Sequence, residues 1–385
     1  MNTVIVSQYK DLERLPPTMS LLLVLKAIGR DVVYIGTPSK AGHDFLEKNH
    51  VPYYFMPDYR TSINHGKTVF AKVLRRFKRL YAFCVQRRWI RNTLSQIIKR
   101  KGNVTIWHSE VASAALIGDW GLKLGPRVIT IYEIFDFRGG RWWGFTLKKH
   151  LLSSRLVVPE YNRSFLLKET LGLSTRPAVI PNKPFVHPRT VRLPISDGYI
   201  KSVISKIGNR PIFLYQGVWT QDREDVTKVV EIIAKNRPQY CIVCMPECGQ
   251  AKQLAKKYAN VFTVPFVPAP SHLVVTSWAT VGMAIYNVWG ESLLTRLNVV
   301  YCAPNKIYEY AGFGIPTLGS NLPGLKYTIS RYNAGVCCDL DDKSIIDAAD
   351  ELISNLSRYQ VCATRFFDSF DLKVAVRDVL DSAET

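Results

Sequence analysis

Residues 304–325 read PNKIYEYAGFGIPTLGSNLPGL. The stretch sets Lys306 and Glu309 on a short helix and stops that helix with Gly312, Gly314 and Pro316. Pro304 suits the first helical turn, where a missing N–H is not needed. The backbone N–H groups of Asn305, Lys306 and Ile307 then find no partner inside the helix. They form an anion site, which the helix dipole and the Lys306 charge strengthen. Glu309 falls one turn on, on the same side as Lys306. A carboxylate accepts two hydroxyl hydrogen bonds at once, which suits a ribose diol. A glycine ends the helix and Pro316 opens the next strand. A ligand carrying phosphate and ribose follows from this chemistry; a plain surface ion pair between Lys306 and Glu309 fits the same letters.

Upstream of this stretch, short apolar β-type runs alternate with helical ones. Pro211–Gln216 is a strand ending at Gly217, Asp225–Asn236 a helix, Tyr240–Met245 a strand and Ala251–Ala259 a helix. Val261–Phe266, Val281–Tyr286 and Thr317–Gly319 add short strands. The N-terminal half repeats the layout, with strands at Thr3–Ser7, Asp31–Gly36, Val104–His108, Val128–Phe135, Leu156–Pro159 and Ala178–Pro181, and a helix at Met19–Ile28. Between the halves, PFVHPRTVRLPISDG (184–198) has no clean period and reads as a linker. A chain of 385 residues accommodates two domains. The expected fold class is therefore α/β, two Rossmann-like doubly wound parallel-sheet domains. They are expected to face each other across a cleft at their strand C-termini.

Three segments resemble the group-1 (family 4) nucleotide-sugar glycosyltransferases, whose fold is the two-Rossmann GT-B type. NKIYEYAGFGIP followed by GSNLPGL is close to the family signature nK-x-x-E-Y-x-x-x-G-x-P; Asn298 and Tyr301 fit a common variant upstream. LYQGVWTQDRED (214–225) looks like the strand, glycine loop and arginine that open the donor domain. RPAVIPNKP (176–184) is similar to the segment at the domain junction. The resemblance implies that Glu309 binds the ribose hydroxyls and Arg223 the donor diphosphate. Gly217 lets backbone approach the phosphates, and Asn305 and Lys306 hold the leaving diphosphate, with no metal required. It implies an acceptor-side domain over 1–188, a linker over 189–199, a donor domain over 200–365 and a C-terminal helix over 366–385 returning to the first domain. Three departures leave the donor sugar and the stereochemical outcome open. Tyr301 stands where the family has a glutamate eight positions before Glu309, Val218 follows Gly217 in place of arginine, and SQYKDLERLPP (7–17) lacks a glycine pair.

Catalytic candidates are the strand-end residues of the first half: Glu133 or Asp136 as a general base on an acceptor hydroxyl, and His108 as a partner of the sugar. Glu110 lies nearby. A lone strand-end histidine also fits a structural role. Asp339-Leu340-Asp341 is expected to cap a helix, not to hold a metal. The cysteines of CIVCMPEC (241–248) are expected in a buried strand as reduced thiols, since no second ligand pair accompanies them.

Charge is lopsided, with 51 Lys and Arg against 31 Asp and Glu. Segment 67–101 alone holds twelve basic residues and no acid. Phe70, Val73, Leu74, Phe77, Tyr81, Cys84 and Val85 form one helical stripe, and Lys72, Arg75, Arg76 and Arg79 fall opposite it. The stripe breaks near Arg87-Arg88, where a second helix is expected. A basic face gains about 1 kcal/mol per Lys or Arg beside anionic lipid. An anionic membrane surface is thus the expected partner, with an ordinary solvated face as the plain alternative. Nucleic acid is not expected, because no recognition motif accompanies the arginines. The glycine-rich RGGRWWGF (138–145) carries Trp142 and Trp143, residues favoured at membrane interfaces and sugar-stacking sites; a pair tucked under the domain fits equally.

No signal peptide or membrane span is evident, so a cytoplasmic, membrane-peripheral location is expected. The expected function is sugar transfer from a nucleoside diphosphate donor to a glycan or lipid-linked glycan in surface polysaccharide assembly, without further cofactor. A sugar-nucleotide epimerase of the same fold and a non-catalytic basic scaffold are the alternatives.

Overall fold

The structure, a computed structural model, describes residues 2–8, 11–57, 69–134, 141–142, 145–219, 226–288 and 292–385; at 69–73, 75, 141–142 and 145 it describes backbone only. Expected residues Asp136, Trp143 and Arg223 lie outside the described residues, as do the side chains of Lys72, Arg75 and Trp142.

The chain divides into two compact units. The first comprises Met1–Pro159, Ser164–Ile180 and Leu372–Thr385; the second comprises Glu160–Arg163 and Pro181–Asp371. The units therefore change over at 180/181, before the proline-rich run, and the first unit recruits residues from beyond the second.

In the first unit the strands are β1 (Asn2–Val6), β2 (Asp31–Gly36), β3 (Tyr53–Phe55), β4 (Val104–His108), β5 (Arg127–Thr130), a hairpin of β6 (Arg141–Trp142) and β7 (Phe145–Thr146), β8 (Arg155–Val158) and β9 (Ala178–Val179). The helices are α1 (Pro16–Ala27), α2 (Lys40–Lys48), α3 (Val69–Lys101), α4 (Val111–Ile117), α5 (Leu147–Leu152) and α6 (Tyr161–Leu171), the last beginning in the second unit. The seven-stranded sheet runs β3-β2-β1-β4-β5-β8-β9, all parallel. Val4, Ile5, Val33, Ile35, Ile106 and Val128 are buried because both sheet faces are covered, which is why these strands read as unbroken apolar runs.

The second unit holds α7 (Gly198–Ile207), β10 (Ile212–Gln216), α8 (Thr227–Asn236), β11 (Cys241–Met245), α9 (Gly249–Lys257), β12 (Val261–Thr263), α10 (Leu273–Thr276), β13 (Val281–Ala284) and α11 (Leu293–Val300). Then follow α12 (Lys306–Gly312), β14 (Thr317–Ser320), α13 (Pro323–Ile329), β15 (Gly335–Cys338), α14 (Asp342–Ser354) and α15 (Leu356–Asp368). Its six strands, also parallel, run β12-β11-β10-β13-β14-β15. The α/β class with two parallel doubly wound sheets is as the sequence indicated. Cys241 and Cys244 are buried in β11 and all eight cysteines are free; burial pushes the Cys244 thiol up. Asp341 caps α14, accepting from Ser344 N at 2.9 Å.

Several expectations need correction. Helix α3 is one continuous helix of 33 residues, with no break at Arg87-Arg88. What changes there is the phase of its apolar stripe. From Phe83 onward the packed side is Phe83, Ile90, Leu94 and Ile97, whereas Leu74, Phe77, Leu80 and Tyr81 are exposed. Arg87 and Arg91 are half-buried and donate to the carbonyls of Ala115, Leu116 and Ile117 at the end of α4, satisfying groups the short helix leaves open. The strand expected over Val128–Phe135 stops at Thr130, where its pairing with Val157 of β8 ends. The tail helix expected over Phe366–Leu380 is two helices that part at Ser369–Asp371; α16 (Leu372–Glu384) belongs to the first unit. There Glu384 pairs with Arg30 at 2.9 Å and accepts from Thr105 Oγ1 at 2.5 Å.

Candidate functional site

In an open parallel sheet the ligand position is the carboxyl edge where strand order reverses. In the second unit that point lies between β10 and β13. Strand β10 delivers Gln216 and then Gly217, whose φ of 143° is open to glycine and strained for other residues. Helix α12 packs over the same strands. Tyr310, fully buried, bonds from its hydroxyl to the carbonyls of Leu214 (3.1 Å) and Met283 (3.3 Å), one on each strand.

The helix differs from expectation at its start. Asn305, not Pro304, leads into it, and the Asn305 carbonyl accepts from Tyr308 N and Glu309 N at 3.0 and 3.1 Å. Its end is as the glycines suggest. Gly314, at φ 70°, and Ile315 send their N–H groups back to the carbonyls of Ala311 (2.9 Å) and Tyr310 (3.0 Å), a Schellman closure. Gly312 is needed for a different reason. A Cβ there would sit 2.5 Å from the His187 ring. His187, from the run read as a linker, lies between Phe313 and Phe367, with its Nε2 3.0 Å from the Glu309 carbonyl oxygen. Burial holds its imidazole down at about 4. Gly312→Ala is expected to displace this ring and destabilise the second unit by about 1–3 kcal/mol, as overpacking does; a urea midpoint equal to wild type would remove His187 from this role.

Lys306 and Glu309 are both buried, at 7% and 5% exposure, so they are not a surface ion pair. The Lys306 ammonium stands 4.4 Å from the Tyr215 ring centre and 5.3 Å from that of Tyr286, a cation–π arrangement. The Glu309 carboxylate is held through Oε2. Gln216 Nε2 donates to it, and His272 Nε2 lies 3.2 Å away. Gln216 is fixed in turn, its Oε1 accepting from Thr276 Oγ1 at 2.6 Å. A buried carboxylate is expensive unless partners hold it; here they hold one oxygen and fix the group's orientation. Gln216 and His272 did not emerge from the sequence. Gln216 is the last residue of its strand, just before Gly217, which was a usable sign. His272 reaches the cluster only through the fold.

Tyr301 closes α11, and its carbonyl, with that of Asn298, accepts from the buried Arg163 guanidinium at 2.6 and 3.1 Å. Among the described residues no group of three or more His, Cys, Asp or Glu is placed to hold a metal ion.

In the first unit the strand order reverses between β1 and β4. His108 ends β4 but is enclosed at 1% exposure, with Ser113 Oγ 3.4 Å from its Nδ1. Burial and the neighbouring His150 hold it neutral, down to about 3. It is a core histidine and is not placed to touch a sugar. The edge position belongs to Glu110, which accepts from Ser7 Oγ at 3.2 Å and Gln8 N at 2.5 Å. Glu133 lies half-buried just beyond β5.

The His108 environment sets a pH dependence. Above about pH 6.5 both the folded and unfolded forms are neutral and nothing is lost. As pH falls below that, the unfolded chain takes a proton that the folded chain refuses. Stability then declines by up to about 1.4 kcal/mol per pH unit toward the folded value near 3. Urea unfolding at pH 7 and pH 5 is expected to show this loss, to which His187 and His150, also held down by burial, contribute in the same direction. His108→Asn is expected to reduce the slope by the His108 share, and an equal slope in the variant would exclude His108 as a cause.

No family model matches the chain, and no curated protein matches it. Solved structures do. A glycosyltransferase from Rickettsia africae superposes with a TM-score of 0.66 at 14% identity, covering 100% of this chain and 98% of that one. Anabaena HepE, solved in complex with UDP, gives 0.65 at 10%, covering 99% of each. An E. coli structure bound with UDP-2-fluoro glucose gives 0.63 at 11%, covering 100% and 99%. At these identities the likeness speaks to architecture: the chain carries the GT-B fold, with one doubly wound parallel sheet in each unit.

Proposed function

We propose that this protein is a glycosyltransferase that takes a nucleoside diphosphate sugar in its second unit. The observation that carries the proposal is a buried carboxylate and a buried ammonium one turn apart on α12, at the switch point of a parallel sheet. Buried charges are rare away from sites that use them. Glu309 is assigned to the ribose hydroxyls. Gly217, Asn305 and Lys306 are assigned to the diphosphate, with Arg223 and Tyr301 as further donor contacts. Stabilising the charge on the departing diphosphate is the main catalytic contribution of such a site. Glu133 or Asp136 is assigned as the base on the acceptor hydroxyl, and no cofactor beyond the donor is invoked. That other structures of this fold hold UDP or a UDP-sugar supports a uridine donor.

The acceptor we propose is a glycan or lipid-linked glycan of surface polysaccharide assembly, met at the inner face of the cell membrane. The exposed Arg76 and Arg79 of α3 support this part; Lys72 and Arg75 are assigned with them to the anionic surface, and Trp142 and Trp143 to the acceptor. Among the described residues no helix is long and apolar enough to cross a membrane.

A thermal-shift screen of UDP, GDP, ADP, CMP and dTDP, with and without EDTA, tests the donor half. One diphosphate is expected to raise the melting temperature equally in both conditions. At a hundred times its dissociation constant it adds about 2.7 kcal/mol, worth about 2–4 °C per kcal/mol for a unit of this size. No shift with any nucleotide, in folded protein, would overturn the proposal.

A further inference from the structure

Helix α3 carries two apolar stripes on opposite sides. At 100° per residue, Ile90, Leu94 and Ile97 share the side that packs on the first unit's sheet, and all three are buried. In the first half of the helix that same side carries Arg76 and Arg79, both exposed. Leu74, Phe77 and Tyr81 lie roughly half-way round the helix from it, at 45%, 66% and 66% exposure, with Leu80 beside them at 37%. Packing of the domain does not explain this second stripe, because among the described residues it faces away from the core that the rest of the helix builds. Large apolar side chains exposed along one helix face are the mark of a surface that meets something else.

We infer that the first half of α3 is an insertion element: Leu74, Phe77, Leu80 and Tyr81 enter the acyl boundary of an anionic bilayer while Arg76, Lys78 and Arg79 stay at the headgroups. The occupant follows from charge. Residues 67–101 hold twelve basic residues and no acid, so the stripe lies in a field that attracts anionic lipid and repels a second copy of the same helix. Leucines in the stripe gain nothing from nucleic acid bases but do gain from acyl chains. The inference rests on the membrane part of the function proposed above and goes beyond it. Contact by charge alone is undone by salt, whereas apolar insertion is not.

The test is co-sedimentation of the full chain with phosphatidylcholine vesicles, with and without phosphatidylglycerol, at about 0.1 M and about 1 M salt, where screening lengths are about 10 and 3 Å. Wild type is expected to bind the anionic vesicles and keep a measurable fraction bound at high salt. Leu74→Ser/Phe77→Ser/Tyr81→Ser is expected to bind at least about tenfold more weakly in both salts. Arg76→Gln/Arg79→Gln is expected to lose binding mainly at low salt. The single Phe77→Glu serves as a second variant should the triple one fold poorly. Complete release of wild type at high salt, or variants that bind as wild type does, would overturn insertion. So would a wild-type oligomer that the triple variant converts to monomer, since the stripe would then be covered by a second copy. Nucleotide-induced thermal shifts are read on the same samples. Their absence with insertion intact would count against the transferase and leave the membrane element standing.

Discussion

Glu309→Ala is expected to weaken binding of the responsive nucleoside diphosphate by about ten- to a hundredfold. Hydrogen bonds to a charged group contribute about 1.5–3 kcal/mol, and each 1.4 kcal/mol is a factor of ten. The carboxylate is buried and already oriented by Gln216 and His272, so little is spent in ordering it when ribose arrives. The substitution also leaves Gln216 Nε2 without its carboxylate partner, and a stability loss of about 1–3 kcal/mol is expected from that alone. Glu309→Gln separates the two effects, because it keeps the volume and removes the charge. Titration calorimetry with both variants is the check. Unchanged affinity in the alanine variant, with the fold intact, would sink the ribose assignment.

Gly282→Val is expected to damage the second unit severely. Gly282 lies in β13, and a Cβ built there falls 2.1 Å from the Tyr310 ring. That ring cannot swing aside, since its hydroxyl is anchored to carbonyls of β10 and β13. Overpacking a core costs about 1–3 kcal/mol when neighbours can yield and more when they cannot. A loss of about 3 kcal/mol or more is expected, with α12 displaced and nucleotide binding lost alongside. Tyr310→Ala in the Gly282→Val background should recover part of the stability by making room. If Gly282→Val unfolds at the wild-type urea concentration, α12 is not held to the sheet in this way.

The parts of the fold that were legible are those governed by local rules. Val104–His108 and Asp31–Gly36 are apolar without interruption because parallel strands are buried on both faces. Edge strand β3 and strand β15 carry residues that are only partly buried, so their pattern is weak. In α3 the sequence shows a real discontinuity, but periodicity reports which side is apolar and not whether the backbone continues. A stripe that changes sides looks the same on paper as a helix that ends. At the site, Lys306 and Glu309 are neighbours by helix geometry and could be paired from the sequence. Gln216, His272 and His187 arrive from three other elements, and only the sheet order makes them meet. His108 shows the converse: a strand-end position alone does not tell an edge residue from a core one.

Helix α16 has a consequence for how the protein is made. Leu372, Val376, Val379 and Leu380 are buried in the first unit, and Glu384 ties to Arg30 and Thr105 there. Domains ordinarily fold in the order in which the ribosome releases them. Here the unit that is translated first stays unfinished until the whole of the other has emerged, and its waiting apolar groove is exposed throughout that interval. The nascent chain's exposure to chaperones and proteases is therefore set by the time needed to translate the second unit, and a premature stop before Leu372 damages the half of the protein that was already made.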